Sequence, residues 1–203
     1  MKTKHFKKED VEEVKDWIRK GKVIAFPSDT VFALGVTYKN EEALLRLKAA
    51  KLRDANKPIP MMVASFEQIK KVAYTNTKAE LLAKHFMPGP LTLILKRKES
   101  VPSYVSDYKD TIALRIPDDA FVLSLLEEPM LVTSANLSGE KPGKNDKDVL
   151  KQLDNRIDGI VEGVAKRDIP STIVDLSSDE VIILRVGEIC VDDIYKILEE
   201  EKR

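Results

Sequence analysis

The sequence predicts an α/β (α+β) fold, a twisted mixed β-sheet with flanking helices. Three observations point there. Short apolar runs bounded by Gly, Pro or polar residues recur along the whole chain, as in "KVIAF" (22–26), "LTLILK" (91–96) and "VIILRV" (181–186), and read as strands. Between them lie segments whose apolar residues repeat at helical spacing. At 203 residues the length suits one sizeable core. The expectation is therefore one domain over 1–203, its core running from about residue 8 to residue 198, with no repeat or linker.

Each element has a local reason. "EDVEEVKDWIRKG" puts Val11, Val14 and Ile18 on one helical face, and Gly21 suits the stop. "KVIAF" is a buried strand cut by Pro27. "NEEALLRLKAAK" is a helix capped by Asn40, with Leu44, Leu47 and Ala50 inward. "IPMMVA" (59–64) is a strand. Ser65 with Gln68, and Thr77 with Glu80, are capping-box patterns that open two short helices. "MPGP" is a turn leading into "LTLILK". "TIALRI" (111–116) is a strand, and Asp118 or Asp119 caps "AFVLSLL". "MLVTSAN" starts as a strand and ends polar. "NDKDVLKQL" is helical, "GIVEGV", "STIVDL" and "VIILRV" are strands, and "VDDIYKILEE" is a last amphipathic helix.

Composition excludes several classes of function. Lys plus Arg and Asp plus Glu stand at 34 each, so no global field draws the protein to nucleic acid, and any anion site is local. No apolar run approaches a membrane span, and the N-terminus lacks the apolar centre of a secretory signal, which predicts a cytoplasmic protein. The two histidines, His5 near a mobile terminus and His85 on a helix, cannot build a zinc site with the one cysteine. Cys190 reads as a small buried residue, His85 as a surface or packing residue. Neither GxxxxGK[ST] nor GxGxxG occurs.

What remains is a series of polar clusters at strand ends. "PSDTVFALG" (27–35) carries Ser28, Asp29 and Thr30. "KLRDANKPIP" (51–60) gathers Lys51, Arg53 and Lys57. Thr111 and Arg115 share a face of one strand, and an arginine within a strand is costly to bury unless paired. Ser134 and Asn136 lie two apart, and Ser171, Thr172 and Arg185 close the series. Each residue alone has a plain reading as cap, turn former or solvated charge; Arg185 could pair with Glu188. Ligands collect at strand ends in open sheets, so the clusters together suggest one cleft.

The ordered motifs "PSDTVFALG", "KLRDANKPI", "PGPLT", "IALRIP", "TSANLSG", "STIVD" and "LRVG" resemble the YrdC/TsaC family, the threonylcarbamoyl-AMP synthases, from about Lys22 to Gly187. The resemblance implies a YrdC-type sheet with a concave, positively charged cavity. It implies a nucleotidyltransferase that converts L-threonine, bicarbonate or CO2, and ATP into L-threonylcarbamoyladenylate and pyrophosphate. The product would serve the tRNA threonylcarbamoyl transferase complex that makes threonylcarbamoyladenosine (t6A) at tRNA position 37. It also implies roles. Lys51 and Arg53 would be catalytic and, with Lys57, hold the triphosphate. Thr111, Ser134, Asn136 and Arg185 would bind ATP, with Pro142 or Gly143 lining the nucleotide pocket. Thr30, Arg115, Ser171 and the backbone around Val132 would hold threonine, Arg115 pairing with its carboxylate. Mg2+ would be carried mainly by phosphates and water, with no protein metal site.

This chain departs from the family pattern in places. The first motif commonly reads PTDTVYGL, whereas here Ser28, Phe32 and Ala33 stand in it, and Met62 replaces a histidine of some relatives. Ala33 would be strained if the turn needed positive φ. The end of the chain soon after the last motif matches the short, single-domain form. The alternatives are a paralogue with other substrates, or an RNA-binding protein of this fold; weak tRNA contact and no membrane partner are expected.

Overall fold

The computed structural model describes residues 2–54, 56–167 and 169–200. Among the described residues ten strands form one mixed sheet. In chain order they are β1 (Lys4–Phe6), β2 (Ile24–Phe26), β3 (Ala33–Thr37), β4 (Met61–Met62), β5 (Leu91–Lys96), β6 (Thr111–Arg115), β7 (Met130–Ser134), β8 (Gly159–Val161), β9 (Thr172–Asp175) and β10 (Ile182–Arg185). Their order across the sheet is β1-β8-β2-β3-β7-β4-β6-β5-β9-β10. β1 and β2 run parallel to β8, β4 to β6, and β5 to β9, and the remaining pairs are antiparallel. The predicted twisted mixed sheet with flanking helices is thus the observed architecture.

The helices are α1 (Val11–Arg19), α2 (Glu41–Ala50), α3 (Phe66–Val72), α4 (Thr77–Phe86), α5 (Ala120–Leu125), α6 (Asp146–Leu153) and α7 (Val191–Glu200). Their starts follow capping chemistry. Asn40 accepts from the Ala43 N–H at 3.0 Å and Asn145 from that of Asp148 at 3.0 Å. Of the two aspartates considered for α5, Asp119 is the cap, accepting from Val122 N–H at 3.1 Å. Asp118 instead gives its backbone N–H to Asp29. Two capping boxes are corrected. α4 is capped by Asn76, which accepts from Ala79 N–H at 2.9 Å, so Thr77 is the first helical residue. Ser65 does cap α3, but Gln68 reaches past it to the Ala64 N–H at 2.9 Å.

Side-chain alternation divides the sheet into two faces. Ala25, Leu34, Met61, Leu93, Leu114, Leu131 and Val174 point to one face and join a large buried cluster with Leu47 of α2, Ile69 of α3, Leu82 of α4, Val149 of α6 and Ile194 of α7. Ile24, Phe26, Ala33, Met62, Met130, Val132 and Val161 point the other way and pack with Val14 and Ile18 of α1 and Val122 and Leu125 of α5. Those two helices contribute the whole helical part of this second cluster, which does not extend across β5, β9 and β10. The uncovered part of that face is where polar side chains collect.

Two strands escape the sequence patterns. β1 has one buried residue in three, and β3 contains Gly35, at which a Cβ would lie 2.9 Å from the Met130 side chain. Strand β4 is shorter than "IPMMVA" because Pro60 has no N–H, yet the Pro60 carbonyl still accepts from Val132 N–H at 2.9 Å. "MPGP" is a turn, with a cis peptide between Met87 and Pro88. His5 sits in β1, opposite Ile160, instead of a mobile end. Cys190 is exposed, contrary to the buried reading, with its Sγ–H directed to Asp193 Oδ2 at 2.9 Å.

Candidate active site

A cavity of about 630 Å³ lies over the uncovered face. Its floor follows strand alternation: Ala33 from β3, Thr92 and Ile94 from β5, Thr111, Ala113 and Arg115 from β6, and Ile173 from β9. The walls come from the loops that follow β2, α2 and β7 and from the segment before β9. Of the thirteen residues given roles by the resemblance, ten line this space: Thr30, Arg53, Thr111, Arg115, Val132, Ser134, Asn136, Pro142, Ser171 and Arg185. Segments up to 155 positions apart in the chain thus meet at one place, which no single motif could indicate.

Arg115 is the most buried cation there, 5% exposed. Its Nη2 donates to Asp29 Oδ2, its Nη1 to Thr30 Oγ1 at 2.8 Å, and its Nε to the Gly89 carbonyl at 2.9 Å. Burial lowers its pKa from the usual guanidinium value while Asp29 acts against that shift. The partner that makes a buried arginine affordable is therefore Asp29, from the chain itself. A guanidinium carries five N–H donors. Three are engaged, and two remain for a ligand. Asp29 was visible in "PSDT" but had no assigned role; its pairing with a residue 86 positions away leaves no local signal.

Lys51 is placed differently from the expectation. It is 1% exposed and does not line the cavity. Its ammonium donates to the carbonyl of Ser134, to that of Asn136 at 2.7 Å and to Asn136 Oδ1 at 3.4 Å, and its own carbonyl accepts from Ser138 N–H at 2.8 Å. Lys51 thus ties the end of α2 to the turn after β7. Burial, with the positive charge of Arg53 adding to it, pushes the Lys51 pKa down to about 7. Asn136 continues the brace, donating from Nδ2 to the carbonyls of Leu137 and Glu140, each at 2.7 Å.

Arg53 reaches the cavity, fixed by Nε to the Lys57 carbonyl at 3.3 Å and by Nη2 to the Pro58 carbonyl at 2.9 Å. The two prolines thus end the loop that aims Arg53. Lys57 contributes that carbonyl while its side chain is exposed and outside the lining. Lys57→Ala is accordingly expected to leave the KM for ATP within about twofold, as for an ordinary surface change; a tenfold rise in steady-state assays would return Lys57 to the site.

Arg185 does not pair with Glu188, which is held by Arg167. It donates from Nε to the Ser171 carbonyl at 3.0 Å and from Nη2 to Ser171 Oγ at 3.1 Å. Gly187 permits this closeness, since a Cβ there would fall 2.1 Å from the Pro170 carbonyl. Thr111 and Arg115 share the floor, about 13 Å apart at the usual strand rise, so they address opposite ends of a ligand. Val132 turns its side chain to the cavity while its N–H is used by Pro60. Gly143 is buried against α6 and is not among the lining residues, whereas Pro142 is. Ala33 lies in paired strand, so the turn demands no positive φ there. Phe32 is wholly buried, where a phenolic hydroxyl would need a partner, and Met62 lines the cavity. Sequence reasoning gave no role to Thr92, Lys109 and Glu140, which also line it.

The model of the Sua5/YciO/YrdC family, described as "Telomere recombination", matches residues 16–187. The chain belongs to this family. Among its Sua5/YciO/YrdC relatives, the threonylcarbamoyl-AMP synthase of Pyrococcus abyssi is 36% identical over 202 residues, covering 93% of this chain and 59% of that protein. The threonylcarbamoyl-AMP synthase of Vibrio cholerae is 37% identical over 181 residues, covering 86% and 96%. The crystal structure of P. abyssi Sua5 complexed with L-threonine superposes with a TM-score of 0.90 at 34% identity, over 98% of this chain and 60% of that one. The chain therefore spans about three-fifths of the P. abyssi protein and nearly all of the V. cholerae one.

Proposed function

We propose that this protein is an L-threonylcarbamoyladenylate synthase. The observation that carries the reading is Arg115: buried in the floor, held by Asp29, Thr30 and Gly89, it keeps two N–H groups unused and lines a cavity large enough for an amino acid and a nucleotide. A carboxylate is the ligand that such a planar fork suits. Arg53 and Arg185, also at the cavity, suit phosphate oxygens. The relatives named threonylcarbamoyl-AMP synthase, and the relative crystallised with L-threonine, support the same assignment.

The steps need no protein nucleophile. Threonine's amine nitrogen attacks the carbon of CO2 or bicarbonate; an N–C bond forms and a proton, or water from bicarbonate, is released. The carbamate oxygen then attacks the α-phosphorus of ATP, a P–O bond forms, and the bond to the β-phosphate oxygen breaks to release pyrophosphate. Arg115 with Thr30 orients the amino acid, Arg53 and Arg185 balance the charge on the departing pyrophosphate, and Ser134, Asn136, Pro142 and Thr111 enclose the nucleotide. Positioning and charge stabilisation supply the acceleration. Neither histidine lines the cavity. Among the described residues Glu140 is the one carboxylate in the lining, a donor set that suits a Mg2+ ion arriving with the triphosphate; the ion would neutralise phosphate charge. The product would pass to the tRNA threonylcarbamoyl transferase complex for t6A formation, and the protein would act in the cytoplasm. Among the described residues no helix is long and apolar enough to cross a membrane.

With ATP, Mg2+, bicarbonate and L-threonine, pyrophosphate release is expected to require all four. Release that is equal without threonine, or RNA binding with no turnover at all, would defeat the reading.

A further inference from the structure

We propose that Lys109 is a further catalytic residue of this site, one that holds the outer phosphates of ATP and the pyrophosphate that leaves. The inference rests on the synthase reading above, with the substrate carboxylate at Arg115.

The two arginines that suit phosphate stand at different ends of the cavity. Arg185 belongs to the end of Arg115. It donates to Ser171 Oγ at 3.1 Å, and that oxygen lies 2.8 Å from Thr92 Oγ1. β5 and β6 run antiparallel with Leu93 opposite Leu114, so one further step sets Thr92 opposite Arg115. Arg53 belongs to the other end. Burial lowers the Arg53 pKa, and the charge of Asp107, two residues before Lys109, acts against that shift. Lys109 continues the series Thr111, Ala113 and Arg115, which alternates with the core residues Ile112 and Leu114, and it lines the cavity beyond Thr111.

The reaction geometry directs the outer phosphates to this end. Threonine's carboxylate lies on Arg115, its nitrogen carries the carbamate, and the carbamate oxygen meets the α-phosphorus. In-line displacement sets the leaving oxygen on the side of that phosphorus opposite the attacking one. The β- and γ-phosphates therefore extend away from Arg115, toward Thr111, Arg53 and Lys109.

The loop before β6 is built to keep Lys109 in place. Asp107 and Tyr108 both take left-handed backbone, with φ of 51° and 60°, which costs roughly 1–2 kcal/mol for each non-glycine residue. The turn is tied by the Tyr108 N–H to the Ser103 carbonyl at 2.8 Å and by Ser106 Oγ to the Lys109 carbonyl at 2.6 Å. Nearby cations are already engaged. Lys48 pairs with Asp107, and Arg97 donates to the carbonyls of Lys98, Val101 and Lys109. The Lys109 ammonium has no hydrogen-bond or ion-pair partner among the described residues, so its three N–H donors are available. Lys57, exposed as well, lies outside the lining.

When the bond from the α-phosphorus to the bridging oxygen breaks, its electron pair stays on that oxygen and the charge on pyrophosphate rises. An ammonium donating to these oxygens keeps its proton and stabilises that state more than it stabilises bound ATP. Lys109 thus acts on kcat as well as on KM.

The test is Lys109→Ala, with Lys109→Arg as the conservative variant. The side chain has no partner to lose, so Tm should stay within about 2 °C. Inhibition by added inorganic pyrophosphate should weaken roughly tenfold, and kcat/KM for ATP should fall by a similar factor, as for one lost charge-assisted contact. Calorimetric binding of AMP, which lacks the outer phosphates, should stay within about twofold. Lys109→Arg should recover most of both losses. Equal weakening of AMP and pyrophosphate would mark a structural role, and unchanged pyrophosphate inhibition in Lys109→Ala a solvated lysine; either result overturns the proposal. Wild type that forms the adenylate beside such an unchanged variant removes Lys109 alone, whereas wild type that forms no threonylcarbamoyl adenylate removes the synthase reading with it.

Discussion

Arg115→Ala is expected to lower stability by about 3–5 kcal/mol, the cost of leaving a buried charge without its partner. Asp29 is 2% exposed, and its Oδ2 would keep one donor, the Asp118 N–H at 3.1 Å, in place of the guanidinium. For a chain of this size each kcal/mol shifts Tm by about 2–4 °C, so melting should fall by roughly 6–20 °C. Because that loss would obscure binding, Arg115→Lys is the better probe of function. It keeps a positive charge near Asp29 and loses the planar fork. The KM for threonine should rise at least about tenfold, as expected when a bidentate, charge-assisted contact is lost, with the KM for ATP much less affected. Initial rates at varied threonine and varied ATP separate the two, and equal increases would contradict the assignment of Arg115 to the amino acid.

Lys51→Met should act by another route. Removing the ammonium strands the Asn136 carbonyl inside the protein and leaves the Ser134 carbonyl with only the Asn136 N–H at 3.1 Å, at about 1–3 kcal/mol for a buried acceptor left unpaired. The nucleotide side should suffer most, since Ser134 and Asn136 line the cavity there. The pH dependence identifies the cause. Lys51 has a pKa of about 7 in the folded protein, against 10.5 for the ordinary side chain. Below pH 7 both states carry the proton, and stability does not respond. Between pH 7 and 10.5 the unfolded chain holds a proton that the folded chain has lost, so this group makes the wild type more stable as pH rises. The methionine variant lacks that slope. Urea midpoints should therefore differ more at pH 9 than at pH 6, and a constant gap would show that Lys51 keeps its charge throughout.

The course of the chain was readable wherever pattern and packing agree. β5 and β6 are readable because one face of each joins the large core while the other meets the cavity, β7 because its start is apolar on both faces, and Asn40 and Asp119 cap helices because their side chains match free N–H groups. β3 was not legible, since Gly35 interrupts a strand whose identity depends on close contact with Met130. The residues of the site were legible as a set, but their couplings were not. Lys51 and Arg53 are two apart in one motif, yet α2 ends at Ala50 and Leu52 between them takes a left-handed φ of 51°, so one is turned into the turn after β7 and the other toward the cavity. The Asp29–Arg115 pair and the Thr92–Ser171 pair arise from sheet register, which brings together segments 86 and 79 positions apart. Only a fold supplies that information. The cluster of cations in "KLRDANKPIP" thus divides three ways, into a buried brace, a cavity arginine and a solvated lysine.

The central claim is that a carbon from bicarbonate is joined to threonine and then to AMP. The most direct measurement is mass spectrometry of the nucleotide product after incubation with ATP, Mg2+, L-threonine and 13C-bicarbonate. The synthase reading predicts threonylcarbamoyl-AMP carrying one 13C, formed together with pyrophosphate. A threonyl adenylate without the added carbon, or ADP with no adenylate at all, would contradict it.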